Sequence, residues 1–393
     1  MKEFGVTKVG INVGKAVSYD RGIARYMQEV IRRFGSGDRE DVYYLFHYPD
    51  KKPFDDGELA NTRFVPLLHS DTRGPVVTMI NEQIIDPLQQ TCLGLDLVWH
   101  PNSRGQFFPA TRYVATLHDV LPLSQPHLAG YLRGWGRVAL YMSRTMSLRR
   151  ADRIITVSEF SKDEIVTHLG IPSEKVSVVY LGIDTDVFRP DRSPERWNDV
   201  RKKYSLPNSY LLTTGSYAPH KNQKTIVDAY CQSELPQYNI GLVMVGPNNA
   251  TGYRVGYNEL VGYVEKVGVQ GMVQLLPSVP LEDLITIISN AKMFVTASLY
   301  EGFGLTPLEA MACEVPVVAS NVAAIPEVCG NAALYADPYD ANSFACRFNV
   351  LLKDESLRDR MITEGLQQVG KFNWRSTARE TLDILASVAE ERK

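Results

Sequence analysis

Two doubly wound α/β domains are what this sequence predicts, and three features predict them. The chain has 393 residues, too many for one ordinary hydrophobic core, so two domains of roughly 150 to 200 residues each are the natural division. Its second half alternates short apolar runs with helical patterns in the manner of a mostly parallel sheet. Its first half opens on an apolar run, a glycine-containing loop and a helix with helical hydrophobic spacing, the start of a Rossmann-like unit.

Residues 8–13 read as the first strand, followed by a loop over 14–20 and a helix that places Ile23, Tyr26, Met27, Val30, Ile31 and Phe34 on one face. The GxGxxG pattern of a dinucleotide site is absent here. Gly14 and Gly22 either serve turn geometry or let the backbone approach a substrate closely. Further strands are predicted at 42–46, 63–67, 97–100 and 113–117, the last running into His118-Asp119. A histidine at a strand end is ordinarily a hydrogen-bonded structural residue, yet this one stands at the mouth of the sheet. Strands at 153–157 and 176–181 enclose a helix that Ser161 and Glu164 would cap and Gly170 would end. The polar, proline-containing run 191–207 reads as the passage into the second domain. Beyond it, strands are predicted at 210–214, 240–245, 272–276, 293–297 and 315–319.

Hydrophobic residues make up 44 % of the chain and charged residues 22 %, the balance of a soluble globular protein. A formal net charge of -3 gives no general attraction to nucleic acid, and no nucleic-acid partner is expected. No apolar stretch reaches the ~18 residues of a membrane span, and the first residues lead straight into a strand pattern without a signal-peptide core. A cytoplasmic location is expected. The five cysteines, Cys92, Cys231, Cys313, Cys329 and Cys346, lack CxxC spacing and read as reduced, mostly packed thiols with no metal site. One segment departs from this neutrality. Residues 120–151 hold no acidic residue, while Arg133, Arg137, Arg144, Arg149 and Arg150 interleave with Trp135, Leu140, Tyr141, Met142 and Met146. That describes either a solvated face over a core or a peripheral contact with anionic lipid headgroups at the inner membrane face.

Chemistry concentrates in Glu301-Gly-Phe-Gly-Leu-Thr-Pro-Leu-Glu309, between the predicted strand at 293–297 and a helical pattern from Ala310. The N–H groups of Phe303, Gly304 and Leu305 would stand at a helix N-terminus and suit an anion such as a phosphate. In an open α/β sheet, such a turn lies where ligands bind. Thr306, Pro307 and Glu309 also fit a capping box with proline at the first helical position, which would give Glu309 a purely structural task. After the first strand of the second half comes Gly215-Ser216-Tyr217-Ala218-Pro219-His220-Lys221. A lysine at a helix start is unfavourable for the helix dipole unless an anion neutralises it, though a solvated lysine is the simpler reading.

Glu301 and Glu309 with seven residues between them, the Gly-Phe-Gly-Leu insert and the following Leu-Glu-Ala-Met-Ala resemble the signature of the retaining, nucleotide-sugar-dependent glycosyltransferases of family four. The resemblance covers most of the chain, densely from His118 onward, and includes Arg21-Gly-Ile-Ala-Arg-Tyr26, Gly182-Ile-Asp184 and Ile325-Pro-Glu-Val328. It implies the GT-B fold: two Rossmann-like domains facing a central cleft, with a C-terminal helix crossing back to the N-terminal domain. The expected division is 1–190, with about 375–393, for the acceptor, and 191–374 for the nucleotide sugar.

The resemblance also implies roles. Glu301 would orient the donor sugar, Glu309 would accept from the ribose hydroxyls, and His118 would contact the transferred sugar. Gly14 would lie near the leaving group and acceptor, while Lys221 would meet the diphosphate together with the loop at Gly215 and Ser216 and the amides of Phe303, Gly304 and Leu305. Backbone near Val279 would meet the base. Ser216 and His220 stand where arginines are usual, which shifts the diphosphate's burden to Lys221 and backbone amides, with His220 adding charge at lower pH. Pro277 and Glu314 replace common glycines, Glu314 without an evident reason. The expected donor is a UDP-glucose or GDP-mannose type of sugar nucleotide, the acceptor a saccharide or lipid-linked saccharide, and neither cofactor nor metal is expected. A 2-epimerase of the same fold and a non-catalytic sugar-nucleotide-binding subunit are the alternatives, and a glycosidase built on the two glutamates is a weaker one.

Overall fold

The structure, a computed structural model, describes residues 7–14, 21–34, 41–50, 52–55, 57–69, 74–103, 105–109, 111–128, 135–247 and 254–391. The chain folds into two compact units. One comprises Met1–Ser124, Leu132–Gly182 and Asn373–Lys393, the other Gln125–Tyr131 and Ile183–Phe372.

The first unit is a parallel sheet of β1 (Lys8–Asn12), β2 (Val42–His47), β3 (Thr62–Pro66), β4 (Leu97–His100), β5 (Arg112–Thr116), β6 (Arg153–Thr156) and β7 (Val176–Val178), in the order β3-β2-β1-β4-β5-β6-β7. Val9 pairs with Tyr43 on one side and Leu97 on the other. A strand flanked on both sides and covered on both faces must be apolar throughout, and Val9, Ile11, Leu97, Val98 and Trp99 are accordingly buried. One cover is the C-terminal helix Trp374–Glu390, which packs on the helix Arg21–Arg32 and on β4, β5 and β6. Asn373 caps it by accepting from the Ser376 N–H. Thr377 then donates to the Tyr180 carbonyl at 2.8 Å.

The second unit is also parallel throughout: β8 (Tyr210–Thr214), β9 (Gly241–Val245), β10 (Val273–Leu276), β11 (Met293–Thr296), β12 (Val317–Ser320) and β13 (Ala333–Ala336), ordered β10-β9-β8-β11-β12-β13. Ile226, Val227, Tyr230, Met244, Val295, Phe344 and Phe348 share its core.

Several expectations are corrected. β13 escaped the strand pattern because Ala-Leu-Tyr-Ala has no β-branched residue and occupies a sheet edge. The helix Glu159–Leu169 is capped by Ser158, whose side chain accepts from the Ser161 N–H; the Ser161 hydroxyl donates instead to the His118 carbonyl at 3.2 Å. The run 191–207 is not a bare linker, since it carries the helix Pro194–Tyr204. Of the cysteines only Cys313 and Cys329 are buried, and burial pushes both thiols up to about 12. Glu314 has a reason after all. It sits at φ 58 and is clamped by Arg192, which reaches its carboxylate at 2.7 Å and its carbonyl at 3.2 Å, so an ion pair offsets a conformation that favours glycine.

Buried Asp283 joins the helix Leu281–Ser289 to Pro194–Tyr204, with Arg196 at 2.5 Å and Lys203 and Tyr204 both at 2.7 Å. Burial alone would raise its pKa, but the hydrogen bonds and charges of these partners hold the carboxyl below its usual range. A depressed folded-state pKa stabilises above the unfolded value and is lost as pH falls through the folded one. Asp283→Asn is therefore expected to lower stability near neutral pH by about 1 to 2 kcal/mol, since both cations are half-exposed. That difference should shrink in thermal melts taken below about pH 4.

Candidate active site

Parallel strands send their carboxyl ends to one edge, so the second unit brings together there the loops after β8, β9, β10, β11 and β12. Its strand order reverses between β8 and β11, the switch point at which open α/β sheets bind their ligands. Gly215, Ser216 and Lys221 follow β8, Val279 follows β10, and Glu301, Phe303, Gly304, Leu305 and Glu309 follow β11.

At this switch point Lys221 and Glu301 form an ion pair, Nζ to Oε1 at 2.5 Å, with side-chain exposures of 18 % and 15 %. The anion that neutralises Lys221 here is thus a protein carboxylate. Ser298 also donates to Glu301 Oε1, at 2.7 Å. Burial pushes the Glu301 carboxyl up, but the charges of Lys221 and His220 and the hydrogen bonds from Lys221 and Ser298 more than reverse this, and its pKa is lowered. His220 is pushed down to about 4 by burial and by the Lys221 charge. His220 therefore adds charge only once pH falls to that range.

Two residues the sequence reading missed hold this pair in place. Asn222, in the left-handed region at φ 53, donates to the carbonyls of Ala297 at 3.1 Å and Pro338 at 2.7 Å. Ser298 fixes the carboxylate. Their local signals were an asparagine, the residue most at ease in that region after glycine, directly after Lys221, and a hydroxyl three positions before Glu301. The Leu299 N–H donates to the His220 carbonyl at 2.7 Å, so the loops after β8 and β11 are stitched together by backbone as well.

The helix after β11 spans Leu305–Ala312 with Gly304 as its N-cap at φ 115 and no side-chain cap. This overturns the capping-box reading of Thr306 and Glu309: Thr306 is already the second helical residue, and Glu309 lies a full turn inside. A Cβ on Gly304 would meet Ile325 at 2.8 Å, so both conformation and space require glycine there. The Phe303 ring is buried and packs edge-on to Phe372 at 5.5 Å, so only the backbone of Phe303 is available to a ligand. Val279 is likewise buried. Gly215 has φ 132, and a Cβ there would lie 3.8 Å from the Lys221 side chain, while a Cβ on the following loop's Gly246 would collide with the Gly215 carbonyl.

In the first unit, Gly14 and His118 follow β1 and β5 at the carboxyl edge of their own sheet. His118 is 8 % exposed, its Nε2 donating to the Pro101 carbonyl at 3.1 Å and its ring edge-on to Tyr26 at 4.8 Å. A carbonyl only accepts, so the proton is on Nε2, and burial lowers the ring's pKa to about 4. Its neighbour Asp119 accepts from the Leu121 N–H at 3.2 Å. Gly14 is enclosed by protein: a Cβ would sit 3.1 Å from Leu67 and 3.4 Å from Asn12 and Tyr48. The rest of its expected loop, 15–20, lies outside the described residues.

Part of the basic segment is engaged within the protein, although Arg149 and Arg150 remain exposed. Arg144 pairs through two bonds with Glu82, itself 2 % exposed, and Arg149 donates to the Leu169 carbonyl. Arg133 lies outside the described residues, as do the side chains of Arg137 and Leu140. Among the described side chains of the helix Trp135–Ser147 the exposed ones are apolar: Trp135 at 89 %, with Val138, Met142 and Met146. Among the described residues no helix is long and apolar enough to cross a membrane.

Comparison with known proteins accords with this geometry. Residues 21–187 match the description of Glycosyltransferase Family 4, and residues 196–368 that of glycosyl transferases group 1. The chain thus belongs to the family-4, group 1 glycosyltransferases, with two parallel sheets of the GT-B type. It is 31 % identical over 378 residues to the O-antigen chain mannosyltransferase B of Escherichia coli, a match spanning 92 % of this chain and 95 % of that one. Its fold is that of a glycosyltransferase from Rickettsia africae, with TM-score 0.75 at 17 % identity over 98 % of this chain and 99 % of the other. It is likewise that of Anabaena HepE, solved with UDP and glucose, with TM-score 0.73 at 17 % identity over 97 % and 100 %.

Proposed function

We propose that this glycosyltransferase moves a hexose, with retention of configuration, from a nucleotide-diphosphate sugar to a saccharide or lipid-linked acceptor in polysaccharide, lipopolysaccharide or glycolipid synthesis. The observation that carries the reading is the Lys221–Glu301 pair at the switch point of the second sheet, beside the N-terminus of Leu305–Ala312. The similar proteins, a mannosyltransferase and a protein solved with UDP and glucose, support a sugar nucleotide of the GDP-mannose or UDP-glucose type.

Transfer breaks the bond from the anomeric carbon to the diphosphate while an acceptor hydroxyl attacks from the same face. Negative charge then grows on the leaving diphosphate, which takes up the hydroxyl's proton. Preorganised N–H dipoles and an ammonium group lower that barrier because they face the charge as it develops. On this reading Lys221 keeps one N–H on Glu301 Oε1 and turns another to the diphosphate, with Gly215, Ser216 and the amides of Phe303, Gly304 and Leu305 around it. Glu301 orients the hexose through its other oxygen, and backbone at Val279 meets the base. Gly14 and His118, from the other sheet, serve the acceptor side and the transferred sugar; His118, neutral and with Nε2 occupied, has Nδ1 left as an acceptor for a sugar hydroxyl.

Glu309, a full turn inside its helix, accepts from the ribose. Glu309→Gln is expected to weaken nucleoside diphosphate binding about tenfold, and calorimetry with UDP, GDP and their sugars also identifies the base. Unchanged affinity would remove Glu309 from the site. Transfer is expected to survive EDTA, because the developing charge is met by Lys221 and amides; loss of turnover in chelator, restored by a divalent ion, would overturn that account. Turnover of a sugar nucleotide to its 2-epimer without glycoside formation would favour the epimerase instead.

We place any membrane contact on the apolar face of Trp135–Ser147 rather than on the arginines. Trp135→Ser with Met142→Ser should reduce flotation with phosphatidylglycerol vesicles severalfold while leaving turnover of a water-soluble acceptor unchanged.

A further inference from the structure

The carboxyl edge of the first unit's sheet has a feature that the donor chemistry does not use. Past the ends of β2 and β3 lies a cavity of about 480 Å³, within the usual range of small-molecule sites, lined by Leu67, Leu68, His69, Val77, Asn81 and Ile85 among others. Most of its lining side chains are aliphatic, and among these residues only His69 and Asn81 bring polar side chains.

Behind His69 runs a buried polar chain. His69 Nε2 lies 2.8 Å from Asp86 Oδ1, with side-chain exposures of 9 % and 2 %. A carboxylate only accepts, so Nε2 carries a proton and the ring orientation is fixed. The other Asp86 oxygen accepts from Asn12 Nδ2 at 3.4 Å, and Asn12 Oδ1 accepts from the Gly14 N–H at 3.2 Å. Both Asp86 and Asn12 are essentially without solvent contact, an expensive placement for such groups unless they position something. What they join is the Gly14 loop and the cavity. Leu67 joins the same two places from the other side, since it both lines the cavity and lies against Gly14.

Charge decides which ligand this suits. No lysine or arginine lines the cavity among the described residues, and the carboxylate of Asp86 stands directly behind its histidine, so a phosphate-bearing acceptor would meet repulsion without a fixed cation. A neutral sugar meets neither obstacle. Its hydroxyl can donate to His69 Nδ1, another can bond the Asn81 amide, and the apolar face of a pyranose ring can lie on Leu68 and Val77.

Position decides which sugar. In the order β3-β2-β1-β4-β5, β3 stands two strands from β1 and four from β5, about 10 Å and about 19 Å at the usual strand spacing. A sugar seated beside His69 is therefore not the one whose hydroxyl attacks next to His118. We propose that this cavity is a distal acceptor subsite, which holds a neutral sugar residue of an oligosaccharide acceptor one or more residues away from the hydroxyl that is glycosylated. The proposal rests on the glycosyl-transfer reading, and it makes the enzyme a reader of an already started chain.

The test titrates mannotriose, maltotriose, methyl α-mannoside and mannose 6-phosphate into the full chain by calorimetry, without donor. At least one trisaccharide should bind measurably and more tightly than both monosaccharides. His69→Ala should weaken that trisaccharide about tenfold and leave nucleotide-sugar affinity unchanged. Val77→Trp, which fills the cavity from its open side without touching the Asp86 chain, should do the same and covers the case in which His69→Ala disturbs the fold. Equal trisaccharide affinity in wild type and Val77→Trp, tighter binding of mannose 6-phosphate, or no trisaccharide binding while UDP- or GDP-sugars still bind would overturn the subsite alone. Absence of any nucleotide-sugar binding would overturn the glycosyl-transfer reading beneath it.

Discussion

Glu301→Gln is expected to lower kcat about 100- to 1000-fold, with a smaller change in donor KM. Among the described residues the hydrogen bonds to this carboxylate, from Lys221 and Ser298, fall on Oε1, which on the proposed reading leaves Oε2 for the hydroxyls of a bound hexose. A carboxylate can accept on both oxygens at once. Glutamine keeps the shape but must turn its NH2 either toward Lys221, donor against donor, or toward the sugar. In the first case Lys221 is displaced, and in the second the hexose loses its strongest acceptor. Steady-state kinetics with the sugar nucleotide identified by calorimetry provide the measurement, and a variant with wild-type kcat would show that Glu301 does not orient the transferred sugar. Ser298→Ala should give a weaker form of the same defect, because it frees the carboxylate to rotate without removing it.

Lys221→Ala should reduce kcat/KM by about 100- to 1000-fold and also weaken free nucleoside diphosphate, since the ammonium group is asked to serve both the ground state and the leaving group. A second consequence separates this from a general loss of structure. Without Lys221 the largest influence on Glu301 is its burial, which raises its pKa, so residual activity of the variant should fall off at higher pH than that of wild type. The stability effect has the opposite dependence. Lys221 depresses the folded-state pKa of Glu301, so its contribution is present above the unfolded value of about 4.3 and vanishes as pH falls through the folded one. Wild type and Lys221→Ala should therefore differ in melting temperature at neutral pH and converge in acid. If acid leaves the difference intact, the ion pair is not its source. Because the two side chains share one bond, the Glu301→Gln and Lys221→Ala losses should add to less than their sum.

Much of this architecture was legible in the chain itself. Apolar runs such as Leu97–His100 and Tyr210–Thr214 are strands with the predicted bounds, because a strand buried on both faces must be apolar at nearly every position. The loop at Glu301 announced itself by its glycines, of which Gly304 takes the positive φ of a turn before a helix. Where local signals were weak the reading slipped. Ala333–Ala336 has no β-branched residue, and Ser158 and Ser161 offer two caps one turn apart.

The sequence by itself determined two parallel doubly wound sheets, the edge of each at which its loops gather, and the presence there of Lys221, Glu301, Glu309 and His118, because hydrophobic period and turn chemistry are local properties. Only the tertiary structure decided which of these groups touch. Lys221 meets Glu301 across 80 positions, Asn222 reaches Pro338 across 116, and Asp86 links His69 to Asn12 across 17 and 74. Such pairings follow from strand order, which sets loops distant in the chain side by side at a spacing of a few ångströms, and no pattern within a short stretch of residues encodes that order.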